Sequence, residues 1–110
     1  MVKNRTYSRY TREAVVLLAR QIQLGRKQRK WTEHELADRA GISRATLQKI
    51  EKGDLSVAIG LVFEVAALVG VTLFDENRAS VSGHIERTED KLALLPRSVR
   101  KTLKSVHDEF

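Results

Sequence analysis

"WTEHELADRAGISRATLQKIEKG" (residues 31–53) reads as two short amphipathic segments hinged on a glycine. Thr32 and Glu35 have the S/T-x-x-E spacing of a capping box, and Trp31 can pack on Leu36 as a hydrophobic staple. A helix therefore begins at Thr32. It ends at Ala40, where Gly41 supplies the left-handed backbone that other side chains resist. Ser43 caps the next helix, with Ile42 and Leu47 as a second staple, and Gly53 closes it. Leu47 and Ile50 must turn inward to join Leu36, Ala37 and Ala40. That forces Arg44, Ala45, Gln48, Lys49 and Lys52 outward.

Two helices joined by a short glycine-containing turn make a helix-turn-helix. The outward row then acquires a chemistry. Arginine and lysine pair with guanine O6 and N7, glutamine pairs with adenine, and a small alanine lets the helix approach or meets a thymine methyl. Ser43 and the free N–H groups of the helix start favour phosphate. The outward row of Arg44, Ala45, Gln48, Lys49 and Lys52 is therefore a candidate major-groove reading face.

The rest of the 110 residues agrees with this reading. The chain carries a net charge of +6, unevenly spread: residues 1–31 hold nine lysines and arginines against Glu13 alone. A basic front on a near-neutral body suits a polyanion, of which nucleic acid is the commonest in the cytosol. There is no cysteine, so disulfide and thiolate-metal scaffolds are excluded, and an intracellular protein is expected. No apolar run approaches the roughly 20 residues of a spanning helix, and the N-terminus lacks a signal peptide's apolar segment. His34, His84 and His107 are scattered, so no metal or other cofactor is expected. No serine has a nucleophile-elbow context and no glycine cluster could cradle phosphate. The expectation is a cytoplasmic protein that is not an enzyme.

Helices should dominate, since Pro96 is the sole proline and no β-type alternation appears. Residues 1–10 read as a basic arm. A first helix is expected from Thr11 to about Lys30, with Ala14, Val15, Leu18, Ala19 and Ile22 on one face. A fourth, from about Val57 to Val69, is apolar nearly all round and should be the buried central element. "VTLFD" (residues 71–75) adds a short helical turn. Residues 76–88 read as a linker or a short strand around Ser80–Ile85. Leu92, Leu95, Val99, Leu103, Val106 and Phe110 recur at spacings of three and four, predicting an extra amphipathic helix from about Pro96 to Asp108. That stripe would pack on the chain's own body, on a second subunit or on a partner protein.

The spacing from Thr32 through Ala37, Gly41, Ile42, Ser43, Leu47 and Ile50 to Glu51 and Gly53 resembles the lambda repressor and Cro helix-turn-helix family, also called XRE. The resemblance covers about residues 18–75. It implies an all-α, five-helix domain over residues 11–75 and a linker and tail over residues 76–110. It also implies base-reading and adjacent positions at Ser43, Arg44, Ala45, Gln48 and Lys49, phosphate contacts at Thr32, Thr46 and Lys52, and an ion pair between Arg26 and Glu51. The family usually has glutamine where Glu33 stands, and a carboxylate there repels phosphate.

"GDLSVAIGLVFEVAALVGVTLFD" (residues 53–75), followed by "LLPRSVRK" (residues 94–101) and a terminal "DEF", is similar to HipB-type antitoxins. The resemblance implies a homodimeric repressor of its own operon on palindromic double-stranded DNA, paired with a HipA-like kinase toxin. The surfaces left for dimerisation are Val71, Leu73 and Phe74. Three alternatives stand beside it: a stand-alone repressor or controller without a toxin, a protein-interaction module that has lost DNA binding, and an RNA binder. The last lacks the exposed aromatics that single-stranded recognition uses.

Overall fold

Ser8 starts α1 (Arg9–Gln28) by accepting the Thr11 N–H, and the helix buries Ala19, Ile22, Gly25 and Arg26 along one face. The computed structural model describes residues 5–74 and 78–101, and these form five α-helices with no strand. The predicted capping box is present at α2 (Glu33–Ala40): Thr32 accepts the Glu35 N–H while the Glu35 carboxylate accepts the Thr32 N–H. Gly41 ends α2 at φ 72°. Ser43 caps α3 (Arg44–Glu51), and α4 (Ile59–Leu68) follows after a turn.

In that turn the Asp54 carboxylate accepts from both the Ser56 hydroxyl and the Ser56 N–H. These two donors, the hydroxyl first, hold its pKa below the ordinary carboxylate value. What the turn contributes to stability is present at neutral pH and is lost as pH falls through that lowered pKa.

The core joins Ile22 of α1, Leu36 and Ala37 of α2, Leu47 and Ile50 of α3, and Val65, Ala66 and Val69 of α4. Ile22, Leu36, Leu47 and Val65 are fully enclosed, each contributing about 1.5–3 kcal/mol relative to exposure. Gly25 sets how closely α1 and α4 approach: a Cβ there would stand 2.7 Å from the Val69 carbonyl oxygen. Trp31 lies against the core and carries the Arg39 guanidinium 4.2 Å above its ring.

The chain divides into two compact units, Met1–Phe74 and Asp75–Phe110. In the second, α5 (Arg78–Ala93) occupies the stretch read as a linker or short strand. That expectation is corrected. From Glu86 to Lys91 good helix formers outweigh the Ser and Gly residues at the front, and local bonds such as Thr88 hydroxyl to the His84 carbonyl (2.7 Å) reinforce the turns.

The extra helix is also corrected over its described part. The Leu94 and Leu95 N–H groups bond back to Lys91 and Leu92, and residues 96–101 are not helical. Pro96 disfavours helical geometry in the residue before it, so here it stops a helix instead of starting one. Leu92, Leu95 and Val99 are exposed; Leu103, Val106 and Phe110 lie outside the described residues. The turn expected at "VTLFD" is a bend at Leu73–Phe74, and its Asp75 lies outside the described residues.

The fourth helix differs from expectation in one respect. It buries Val65 and Ala66, but Ile59 is 69% exposed. α1 and α2 pack on only one side of it, so its all-round apolarity leaves apolar surface uncovered.

Candidate nucleic-acid interface

The geometry of α3 starts with its cap. Ser43 Oγ accepts the Thr46 N–H (3.0 Å) and donates to Thr46 Oγ1 (3.0 Å). Both hydroxyls are therefore engaged in starting α3, and Thr46 keeps its own hydroxyl hydrogen for an outside acceptor such as phosphate. Arg44, Ala45, Lys49 and Lys52 are exposed, and Gln48 is half-buried. The Lys52 N–H closes the helix onto the Gln48 and Lys49 carbonyls. Thr32 is exposed and its hydroxyl oxygen accepts in the α2 capping box.

What holds α3 in place is buried. Arg26 and Glu51 are 7% and 5% exposed and meet in a two-pronged pair, Nε to Oε2 at 2.7 Å and Nη2 to Oε1 at 2.9 Å. Arg26 also gives Nη1 to the Trp31 carbonyl at 3.1 Å. One guanidinium thus ties the end of α3 to α1 and to the start of α2. The hydrogen bonds Arg26 donates to Glu51, opposed by burial, raise the Arg26 pKa above its ordinary value, so the cation persists at every working pH.

Two participants have no periodic signal in the sequence. Arg20 donates to the Glu51 carbonyl at 3.1 Å. With Gln23, Glu33, Gln48, Glu51 and Lys52 it lines a polar cleft of about 420 Å³ among α1, α2 and α3. Arg20 stands outside the apolar stripe of α1, and that exclusion was the available hint. Glu33 accepts a hydrogen bond from Gln48 Nε2 at 3.1 Å.

The candidate dimer residues are placed unequally. Val71 and Leu73 are half-buried against the core, whereas Phe74 is 76% exposed and meets Phe63 edge-on at 6.2 Å. Among the described residues no three His, Cys, Asp or Glu side chains gather as a metal site. No helix among them is long and apolar enough to cross a membrane.

The geometry has a counterpart among known families. Residues 22–75 match the family model described as helix-turn-helix, a span that includes α2, the Gly41 turn, α3 and α4. No curated protein and no solved structure matches the chain.

Proposed function

Taking residues 22–75 as a helix-turn-helix DNA-binding domain of a transcriptional regulator, we propose that the chain is a sequence-specific repressor that binds palindromic operators as a homodimer. The observation that carries this reading is the exposed row of Arg44, Ala45 and Lys49, with Gln48 between them, on a helix held by the buried Arg26–Glu51 pair. Cationic and amide side chains on a rigid α3 can meet base edges in register. Repression follows from occupancy of the site. A single α3 spans only a few base pairs, so two copies must act together on half-sites about 34 Å apart.

The uncovered apolar surface at Ile59 and Phe74 supports a subunit contact, with Val71 and Leu73 as its inner edge. Selection of bound duplexes from a randomised pool tests the reading. The expected outcome is an inverted repeat with half-site centres 10–10.5 base pairs apart and a dimer in sedimentation on that duplex. Uniform recovery of all sequences would refute it.

Within that function the chain serves as the antitoxin of a HipA-like kinase and represses its own operon. Support comes from the resemblance of residues 53–75 to HipB-type antitoxins and from the exposed Ile85, Leu92 and Leu95 of the second unit, surface that a partner could cover. Co-expression with the adjacent gene should co-purify a kinase, and deletion of residues 91–110 should abolish that association without altering operator preference. A neighbour that is no kinase, or that never co-purifies, would leave a stand-alone repressor.

A further inference from the structure

We propose that Glu33 is a specificity-determining residue that, through Gln48, makes one position of each half-site demand a base carrying an exocyclic amine. This rests on α3 being the DNA-reading helix. The two side chains come from different helices, 15 positions apart, and meet through Gln48 Nε2 and Glu33 Oε1 at 3.1 Å at the edge of the cleft lined by Arg20, Gln23 and Lys52.

A carboxylate can only accept hydrogen bonds, whereas an amide presents a donor on one side and an acceptor on the other. Facing Glu33, the Gln48 amide must turn its nitrogen inward, because its carbonyl oxygen would meet another acceptor. Gln48 is thereby locked with Oε1 and its second N–H available, and Glu33 keeps Oε2 as a further acceptor. A glutamine at position 33 could donate or accept, so it would leave the Gln48 amide free to flip.

The pair presents two acceptor oxygens and one N–H. In the major groove an exocyclic amine is offered by adenine N6 and cytosine N4, whereas guanine O6 and thymine O4 are acceptors. Adenine also brings N7 to the remaining N–H. The expected order at this position is therefore adenine, then cytosine, with thymine and guanine rejected on that strand. The charge that sets this preference also repels the DNA backbone, and Arg20 and Lys52 in the same cleft offset it. The departure from an uncharged residue at position 33 thus exchanges some general affinity for a sharper choice at one base pair.

The test uses the full chain and randomised duplexes, comparing the parent protein with Glu33→Gln and Gln48→Ala, each checked for an unchanged melting temperature. The parent should favour adenine or cytosine at one position per half-site by on the order of 5- to 150-fold over guanine and thymine, the span of a good base contact. Glu33→Gln should flatten that single position, leave the others intact and bind all duplexes more tightly. Gln48→Ala should flatten the same position. An unchanged preference in Glu33→Gln, or a parent that selects guanine or thymine there, would overturn the role of Glu33 while leaving α3 as the reader. A parent with no sequence preference at any position would overturn the reading helix as well.

Discussion

Arg26→Ala should lower the melting temperature by on the order of 12 °C or more, the largest effect expected of any charged residue in the chain. Removing one member of a buried pair costs about 3–5 kcal/mol, and each kcal/mol moves the midpoint of a domain this size by roughly 4–8 °C. The cost comes mainly from what is left behind. Glu51 is 5% exposed, and without Arg26 its carboxylate would lose both short bonds with little water to replace them.

Lys27, the exposed next residue, is the proper control, and its alanine variant should stay within about 0.5 kcal/mol of the parent. Arg29 is a poorer control than its sequence position suggests. Its Nη1 donates to the Val69 carbonyl at 2.7 Å, so Arg29→Ala should fall between the two. A decisive check is the double variant Arg26→Met with Glu51→Leu, since an apolar pair of similar volume often replaces a buried ion pair at little cost. Recovery of most of the lost stability would show that the orphaned charge was the cause. Thermal melts of Arg26→Ala and Lys27→Ala that coincide would show the pair to contribute nothing.

Local chemistry explains which parts of the fold were legible in the sequence. The α2–turn–α3 segment is announced by short-range rules: Thr32 and Glu35 cap at a fixed spacing, Gly41 accepts φ 72°, and Ser43 caps again. Their partners lie within four residues, so a window on the sequence contains the whole interaction. The end of α1 carries no such mark, because Lys30 takes the left-handed conformation at φ 60° that a glycine would usually signal. Residues 76–88 read as a linker or short strand because Ser80, Ser82 and Gly83 hide a helix, Arg78–Ala93, sustained by later residues.

Across the site the same distinction holds. The outward row on α3 followed from the inward positions of Leu47 and Ile50. The Arg26–Glu51 partnership came from family resemblance, since nothing in a spacing of 25 residues implies contact. The Glu33–Gln48 bond was invisible for the same reason: only the packing of α2 on α3 brings the two side chains together.

Arg44→Ala and Lys49→Ala should each weaken binding to the selected operator by about 1–3 kcal/mol, or roughly 5- to 150-fold, while leaving non-specific binding nearly unchanged. Both side chains are exposed, so their removal should not disturb the core and the loss can be read as lost contact. Arg44 is the first residue of α3 and Lys49 lies in its last turn. Five residues at 1.5 Å each place them about 7.5 Å apart along the helix axis. They should therefore reach different base pairs, and the two variants should relax the preference at two separate positions, each replacing a demand for guanine. Lys52→Ala supplies the contrast. As a phosphate contact it should weaken all sequences alike and reduce the salt dependence of log K by about one unit. Measuring affinity for operator and scrambled duplexes across a salt series separates the two behaviours. If Arg44→Ala and Lys49→Ala lower both affinities equally and flatten the salt slope as Lys52→Ala does, these two side chains hold the backbone, and base reading must come from other residues.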